Sequence, residues 1–501
     1  MSDFRSTRRR RSGIMWCMDE PVTTIDEERC YRAASSRDAR FDGWFYVAVR
    51  TTGIYCRPSC PAVTPRRQNV EFHRTAASAQ QAGFRACKRC RPDASPGSPE
   101  WDLRSDTVAR AMRLIADGVV DRDGVSGLAA RVGYSERHLH RLLTDELGAG
   151  PISLARAQRA QTARILIETT DLSMTEVAFA AGFGSVRQFN DTIREVFATA
   201  PRELRRRRAA ATAEDRGTIT VRLPARAPFA GRQLLDFLGA HAVPGVEHYD
   251  GQRYTRSIAL PRGAGVVTLD VDTNEAAVRA EFALDDLRDL APAVGRVRRL
   301  LDLDADPVAV DAALRTDPAL APLVDALPGI RVARTVDPDE TLVRSVIGQQ
   351  VSLAGARTVT GRIVRSLGTP LTTEHPHVTH LFPTVRQLAS ADRAALPLPD
   401  ARAATVQRAA AAIVDGDLAL DLAADRSAVV RQLLEVKGIG PWTAQLVAMR
   451  ALGDPDVFLT SDLVARRALE RIGRAPTDTE RWRPWRAYAM HHLWSIMMKE
   501  F

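Results

Sequence analysis

The stretch LEVKGIGPWTA at residues 434–444 decides how the C-terminal half of the chain folds. Two glycines, Gly438 and Gly440, separate segments with helical patterning, which predicts two helices joined by a tight hairpin. Backbone N–H groups at the start of the second helix could then approach a DNA phosphate, because a helix N-terminus attracts anions. A glycine turn in an ordinary helical bundle fits the same letters, so the hairpin alone leaves DNA binding open.

A carboxylate follows the hairpin and favours the DNA interpretation. The segment VFLTSDLVARRAL at 457–469 places Asp462 24 residues after Gly438. An isolated aspartate before a helix is usually a cap, and Ser461 or Asp462 could serve as one. Hairpin and aspartate together resemble the helix-hairpin-helix DNA glycosylases, which have a Gly/Pro-rich loop and an essential aspartate. This resemblance implies that Asp462 is catalytic.

A resemblance to the alkylpurine glycosylases of the AlkA family extends over residues 218–498. Its motifs include LLDFLGAHAVPGVE (234–247), VIGQQVSL (346–353) and WRPWRAYAMHHLW (482–494). It implies a base pocket lined by Trp442, Trp494 and Phe237. Two positions depart from the family: Gln350 stands where a leucine intercalates, and Leu446 replaces a pocket aromatic residue. The DNA contacts that we expect in this half are Gln350, Gly438, Gly440 and Thr443.

The chemistry implied by this resemblance is cleavage of the bond between sugar and base. A purine alkylated on a ring nitrogen, such as 3-methyladenine, is cationic and leaves readily, so the enzyme must flip the base out and stack it on indole rings. The Asp462 carboxylate would stabilise the sugar cation and orient water. Bifunctional relatives have a lysine just beyond the hairpin glycines, where this chain has Trp442, and Lys437 precedes the hairpin. We therefore expect a monofunctional glycosylase.

The segment before the helical part of this half has strand patterning. Val267, Leu269 and Val271 alternate with polar residues, and Val278 and Phe282 belong to a second alternating run. Period-two alternation predicts a sheet with one buried face. We expect an α+β AlkA-like N-terminal domain at 218–291 and an all-α helix-hairpin-helix glycosylase domain at 292–501.

The middle of the chain is helical and contains two helix-turn-helix patterns. Ser135 is the predicted N-cap of one recognition helix, which carries Arg137, and Ser185 is the predicted N-cap of the other, which carries Arg187 and Gln188. The duplication resembles the AraC family, although Ala198 and Thr199 stand where such proteins often have a glycine. A single pattern of this kind is weak, but two predict an all-α DNA-binding domain at 105–205 whose recognition helices enter successive major grooves.

Four cysteines near the N-terminus predict a metal site. FYVAVRTTGIYCRPSC at 45–60 supplies Cys56 and Cys60, and FRACKRCRPD at 84–93 supplies Cys87 and Cys90. In a reducing compartment, C-x3-C and C-x2-C pairs are typical of a tetrahedral zinc site with four thiolates. Such a closed site is normally structural. Cys17 and Cys30 lack such partners, and we expect both to be plain thiols.

These segments also resemble the N-terminal domain of Ada proteins over about residues 41–93. The resemblance implies that Cys56 accepts a methyl group from a methyl phosphotriester in the DNA backbone. Arg50 and Arg57 lie beside the motif and could hold phosphates. Methylation of one thiolate removes a negative charge, which should raise affinity for DNA. A small α+β zinc domain is therefore expected at 19–93.

Bulk properties agree with a protein of several domains. The 501 residues exceed one hydrophobic core, and a net charge of +9 with 70 basic against 61 acidic residues favours a polyanionic partner. We expect linkers at 94–104 and 206–217 and a disordered basic N-terminus at 1–18. No cysteine follows Cys90, which excludes both an iron–sulfur cluster and the cysteine-dependent second methyltransferase domain of full-length Ada. No signal or membrane segment is apparent, so we expect a cytoplasmic monomer.

The leading hypothesis is a methyl-sensing transcription regulator fused to a DNA glycosylase. Its expected partners are alkylated and promoter double-stranded DNA together with RNA polymerase, and its expected cofactor is Zn²⁺. One alternative is a transcription regulator whose glycosylase-like half only binds DNA. Another treats the zinc site as purely structural.

Overall fold

The computed structural model describes residues 26–92, 107–206, 218–272, 275–373, 375–420 and 425–498. The expected basic N-terminus (1–18) and the connector 94–104 fall outside these ranges, as does the connector 206–217 apart from Arg206. Among the described helices, none has the length and apolar content needed to cross a bilayer.

A small sheet with two helices forms the N-terminal region. Its elements are α1 (Glu27–Ser35), β1 (Tyr46–Val49), β2 (Ile54–Cys56), β3 (Val70–His73), α2 (Ala76–Gln81) and β4 (Arg85–Ala86). The strand order is β3-β1-β2-β4, with β1 antiparallel to both β2 and β3. β2 and β4 are parallel, with Tyr55 opposite Ala86. This pairing brings Cys56 and Cys87 to the same end of the sheet, since each is the next residue along its chain.

The middle region is a helical bundle. Its helices are α3 (Thr107–Ala116), α4 (Val119–Val132), α5 (Glu136–Leu147), α6 (Pro151–Thr169), α7 (Met174–Ala180), α8 (Val186–Phe197) and α9 (Pro201–Arg206). Ser135 and Ser185 cap α5 and α8, as predicted from the sequence. The turns before them contain Gly133 and Gly182 at φ 80° and 84°, a conformation that favours glycine. The predicted all-α double helix-turn-helix arrangement is therefore confirmed.

A five-stranded antiparallel sheet follows. Its elements are β5 (Ile219–Pro224), α10 (Gly231–Ala240), β6 (Glu247–Tyr249), β7 (Tyr254–Leu260), β8 (Gly263–Asp272) and β9 (Ala277–Leu284). The strand order is β5-β9-β8-β7-β6. In β8 and β9 the predicted alternation is confirmed, because Val267, Leu269 and Phe282 are fully buried.

The remainder of the chain is helical. Its helices are α11 (Leu290–Leu300), α12 (Pro307–Leu314), α13 (Ala321–Ala326), α14 (Pro338–Ile347), α15 (Leu353–Leu367), α16 (Val385–Ala389), α17 (Asp400–Asp415), α18 (Arg426–Glu435), α19 (Pro441–Arg450), α20 (Leu463–Arg471) and α21 (Arg486–Met498). One apolar cluster lies around α14 and α17 and another around α20 and α21, whereas α11 packs into the cluster of the five-stranded sheet. The hairpin joins α18 to α19, at the boundary between these clusters.

The regions pack against one another. One buried apolar cluster contains Tyr55 of the N-terminal sheet, Leu166 of the bundle and Phe282 of the larger sheet. A hydrogen bond of 3.3 Å from Thr75 Oγ1 to the carbonyl of Leu147 also joins the first two regions. The zinc, helix-turn-helix and sheet regions therefore share one interior.

Candidate functional sites

The Asp462 carboxylate receives hydrogen bonds from several elements. It caps α20, with Oδ1 accepting from the N–H of Ala465 at 2.9 Å. The same oxygen accepts from Trp494 Nε1 at 3.2 Å, and Oδ2 accepts from Trp442 Nε1 at 3.1 Å. These three N–H donors come from different elements and together fix the orientation of the side chain. Asp462 is thus a helix cap and also a half-buried, oriented carboxylate.

The aromatic residues predicted for a base pocket lie together. Trp442 is on α19 directly after the hairpin, and Trp494 is on α21. Phe237 comes from α10, and its ring stacks on that of Trp494 with centroids 5.9 Å apart and planes at 19°. The structure thus brings together one carboxylate and three aromatic side chains from distant parts of the sequence.

Sequence reasoning missed two histidines and an arginine around Phe237. The His241 ring stacks on Phe237 at 4.3 Å, and the His491 ring lies 5.0 Å from Trp494. Burial lowers the pKa of His241 to about 4 and that of His491 to about 3, so both imidazoles are neutral at pH 7. The Arg450 guanidinium lies 5.8 Å from the Phe237 ring centroid. Helical spacing could have found the histidines, since one lies four residues after Phe237 and the other three before Trp494.

The hairpin glycines have different structural roles. Gly438 has φ 102°, and a Cβ there would lie 2.1 Å from Thr405 Oγ1, so the position needs glycine. Gly440 is extended, and an added Cβ would meet nothing within 4 Å. Thr443 is 2% exposed, and its hydroxyl accepts from Gln349 Nε2 at 2.9 Å. A DNA contact by Thr443 would therefore have to use its main-chain N–H.

Gln350 lies on an exposed loop that is attached to the hairpin. It has φ 54°, a strained conformation for a residue with a side chain. The preceding Gln349 donates from Nε2 to the carbonyl of Gly438 at 3.2 Å. The apolar side chains of Val351 and Leu353 are 41% and 43% exposed. The loop thus presents a strained glutamine and two apolar side chains on the side of the hairpin.

The four predicted zinc ligands form a compact cluster. The sulfurs of Cys56, Cys60, Cys87 and Cys90 all lie within 4.8 Å of one another. Four sulfurs this close are the donor set of a structural zinc site, so the residues fit the ion. Cys56 is half-buried and the other three are buried. Cys30 lies in a separate apolar cluster, where burial raises the pKa of its thiol to about 12, in keeping with a plain thiol.

The basic residues near the cysteines differ in their surroundings. The Arg50 side chain is 60% exposed and lies 3.4 Å from Glu71. Arg57 Nε lies 3.4 Å from the Asp42 carboxylate. Lys88 donates to the carbonyl of Ala198 in the helical bundle. Each of the three thus makes a contact within the protein, and the Arg50 side chain, 60% exposed against 32% for Arg57, is the more open of the two arginines to a phosphate.

The recognition helices of the bundle present exposed side chains. Arg137, Arg187 and Gln188 are all exposed, and 93% of the Arg187 side chain is accessible. Gln188 Oε1 accepts from the N–H of Gly184 at 3.3 Å, which holds it at the start of α8. Ala198, where a glycine is common in AraC proteins, ends α8 in the left-handed region at φ 49°. The expected departure therefore falls where glycine would relieve strain.

Comparison with known sequences agrees with the described regions. The chain matches the metal binding domain of Ada over residues 29–93, a helix-turn-helix domain over 128–207 and the AlkA N-terminal domain over 220–337. It is 55% identical over 482 residues to a Mycobacterium tuberculosis (strain H37Rv) protein named "Probable bifunctional transcriptional activator/DNA repair enzyme AlkA", covering 94% of this chain and 97% of the relative.

Two Escherichia coli K12 proteins resemble separate parts of the chain. DNA-3-methyladenine glycosylase 2 is 33% identical over 276 residues, which cover 53% of this chain and 94% of that protein. The bifunctional transcriptional activator/DNA repair enzyme Ada is 36% identical over 162 residues, which cover 32% of this chain and 44% of that protein. The chain is thus similar to one relative along nearly its whole length, and a different part of it is similar to each of the two E. coli proteins.

Proposed function

The chain belongs to the family of bifunctional transcriptional activator and DNA repair enzymes that includes AlkA of M. tuberculosis, and we propose that it excises alkylated purines at Asp462 and senses methylated DNA backbone at Cys56. It combines DNA repair with transcription regulation, binds DNA and uses Zn²⁺. The specific residues and lesions are our proposal.

Asp462 is the proposed catalytic residue of the glycosylase half. The N-glycosidic bond breaks with its electron pair moving to the cationic purine, which leaves as a neutral base. The sugar becomes a cation, which the nearby carboxylate stabilises until water adds at the same carbon and releases a proton. The products are a free base and an abasic site. The observation that carries this proposal is the pair of indole N–H bonds that fixes both carboxylate oxygens.

Trp442, Trp494 and Phe237 are the proposed pocket for the flipped base. Electron-rich rings attract a cationic purine more than a neutral one, so an aromatic pocket selects alkylated bases. The two tryptophans would use their rings for the base and their N–H groups for Asp462. Gln350, Gly438, Gly440 and the Thr443 N–H are the proposed DNA contacts. The chain has no lysine where bifunctional relatives have one, so we expect base release without strand cleavage.

Cys56 is the proposed methyl acceptor of the zinc region. Bound zinc keeps the four sulfurs ionised at neutral pH. The Cys56 sulfur attacks the methyl carbon of a methyl phosphotriester, the methyl–oxygen bond breaks, and its electron pair stays on the phosphate oxygen. Half-burial of Cys56 supports its choice over Cys87 and Cys90, which are buried. The product is a thioether and an ordinary phosphodiester, and the loss of one negative charge favours DNA binding.

The regulatory part of the proposal uses both regions of the N-terminal half. Arg50 and Arg57 are the proposed phosphate contacts beside Cys56. Arg137, Arg187 and Gln188 would contact promoter DNA in successive major grooves. We also propose that the protein recruits RNA polymerase to the promoter and that it acts as a monomer.

A base-release assay tests the glycosylase half. Wild type should release methylated purines from alkylated duplex DNA, whereas Asp462→Asn should not. If neither protein releases purine while both bind DNA, the chain is a regulator with a DNA-binding glycosylase-like half.

Peptide mass measurement tests the zinc half. After incubation with methylphosphotriester DNA, the Cys56 peptide should gain the mass of one methylene group, and the Cys60 peptide should not. An unchanged Cys56 mass would make the zinc site purely structural.

A further inference from the structure

A buried arginine of the glycosylase half contacts the zinc region directly. Arg226 follows β5 and is 4% exposed. Its Nη2 donates to the main-chain carbonyl of Asp42 at 2.5 Å, and its Nη1 donates to the carbonyl of Asp304 at 2.7 Å. Removing a guanidinium from water is costly unless its N–H groups find acceptors. Breaking the hydrogen bond to Asp42 would leave a buried guanidinium N–H without an acceptor, so the folded protein retains this contact.

Asp42 holds the loop that contains the proposed methyl acceptor. Its Oδ1 accepts from the N–H of Ser59 at 2.9 Å, and its Oδ2 accepts from Ser59 Oγ at 2.6 Å. Ser59 lies between Cys56 and Cys60, so this carboxylate fixes the loop between two zinc ligands. Asp42 is 4% exposed, so water cannot easily replace either bond. A movement of the loop must consequently be transmitted to Asp42 or break these bonds.

On its other side, Arg226 is connected to a second buried arginine. The carbonyl of Arg226 accepts from Arg331 Nη2 at 2.8 Å. Arg331 is fully buried, and its Nη1 donates to the carbonyl of Gly329 at 2.8 Å. A Cβ at Gly329 would lie 2.2 Å from the Pro228 carbonyl oxygen, so the two segments are in closest contact. Because a close-packed interior is hard to compress, a displacement of one of these segments is transmitted to the other.

The connection ends at the proposed base pocket. The carbonyl of Gly329 also accepts from the N–H of Ala230 at 3.1 Å. Ala230 is the residue before α10, the helix that carries Phe237. Bonds between Ser59, Asp42, Arg226, Arg331, Gly329 and Ala230 therefore join the loop at Cys56 to the start of the pocket helix.

We infer that Asp42 and Arg226 couple the two activities, so that methyl transfer to Cys56 slows base release by the same chain. This inference rests on the proposed function of both sites. An added methyl group needs space beside the loop, and the resulting shift passes through Asp42 and Arg226 to the Phe237 helix. Small displacements of groups that position a substrate lower the rate of the chemical step. Coupling between two sites typically changes a binding affinity fivefold or more. A change of the same size in the barrier of the chemical step would lower the rate of base release about fivefold.

The test compares base release before and after methylation of the zinc-loaded, full-length chain. The protein is methylated with methylphosphotriester DNA, and the methyl group on Cys56 is verified by peptide mass. Single-turnover release is then measured on a duplex that carries one cationic N-methylpurine and no phosphotriester. Methylated wild type should release the base about fivefold more slowly than unmethylated wild type.

Three variants separate coupling from general damage. Asp42→Ala keeps the main-chain acceptor for Arg226 but removes both side-chain acceptors of the Ser59 bonds, and Ser59→Ala removes one of those bonds. Both variants should keep the unmethylated rate within about twofold of wild type. The ratio of the methylated to the unmethylated rate should rise to about one in Asp42→Ala, and to a value between about one-fifth and one in Ser59→Ala, which keeps the bond from the Ser59 N–H. Arg222→Met is the matched control: Arg222 is a 56% exposed arginine of the adjoining strand paired with Glu275, and its loss should leave the fivefold effect intact.

The outcomes distinguish the inference from the proposed function. An unchanged or raised rate after verified methylation overturns the coupling alone, as does a fivefold effect that persists in Asp42→Ala. Absence of a methyl group on Cys56, or no release by unmethylated wild type, overturns the proposed function and the coupling with it.

Discussion

Replacing Asp462 by asparagine should reduce both activity and stability, for separable reasons. The activity loss comes from the charge. A carboxylate about 4 Å from a sugar cation, at an effective dielectric constant of about 20, contributes about 4 kcal/mol. Because each 1.36 kcal/mol corresponds to about tenfold in rate, base release should fall about a thousandfold.

The stability loss comes from hydrogen-bond geometry. Asp462 Oδ1 accepts from Ala465 and Trp494, and Oδ2 accepts from Trp442. An asparagine can keep its oxygen on the first two donors only by pointing its NH₂ group at the Trp442 N–H. Two donors then face each other, which costs about 1 kcal/mol at a half-buried site.

A second substitution separates these effects. Trp442→Phe removes the donor that faces the asparagine NH₂ group. The double variant Asp462→Asn/Trp442→Phe should therefore regain about 1 kcal/mol of unfolding free energy relative to Asp462→Asn, without regaining base release. Trp494→Phe in the same background is the matched control and should recover nothing, because the asparagine oxygen already accepts from Trp494. Calorimetric melting temperatures measure the first quantity, and single-turnover release from alkylated duplex DNA measures the second.

Two results would refute this reasoning. If Asp462→Asn released purine at a rate near that of wild type, the carboxylate would not be catalytic. If the second substitution restored release, the loss in the single variant would have come from distortion rather than from the missing charge.

Three further predictions concern other positions. Gly438→Ala should lower the melting temperature and weaken binding of abasic-site DNA because the added Cβ would lie 2.1 Å from Thr405 Oγ1, whereas Gly440→Ala should leave the melting temperature unchanged because its Cβ would meet no protein atom within 4 Å. Ala198→Gly should raise the melting temperature by relieving about 0.5–1 kcal/mol of left-handed strain, and an unchanged value would show that the strain is absent. Burial lowers the pKa of His491 from 6.5 to about 3, so the unfolded chain takes up the extra proton between those values and stability falls as pH drops below about 6.5. His491→Gln should make the melting temperature less sensitive between pH 7 and pH 5, and an equal sensitivity would contradict this assignment.

Much of the local structure could be predicted because it depends on neighbouring residues. The caps Ser135 and Ser185 and the alternation around Leu269 follow from interactions over a few positions. The cysteine cluster follows from donor type and spacing, since Cys56 and Cys60 must reach the same ion. In such cases the sequence carries the physical cause directly.

Long-range contacts could not be predicted in the same way. The indole N–H bonds to Asp462 depend on how α19 and α21 pack, whereas the sequence analysis predicts the tryptophans only as stacking surfaces for the base. The contact between Arg226 and Asp42 joins residues 184 positions apart. An arginine in an arginine-rich chain carries no mark that distinguishes a buried docking residue from an exposed one.

The stack of Phe237 on Trp494 limits how the gene could be divided. A fragment that starts at residue 292 would encode Asp462 and both indoles but would lack Phe237, one of the three proposed pocket rings. If Phe237 lines the base pocket as proposed, a fragment that excises bases must also include α10 and the five-stranded sheet around it.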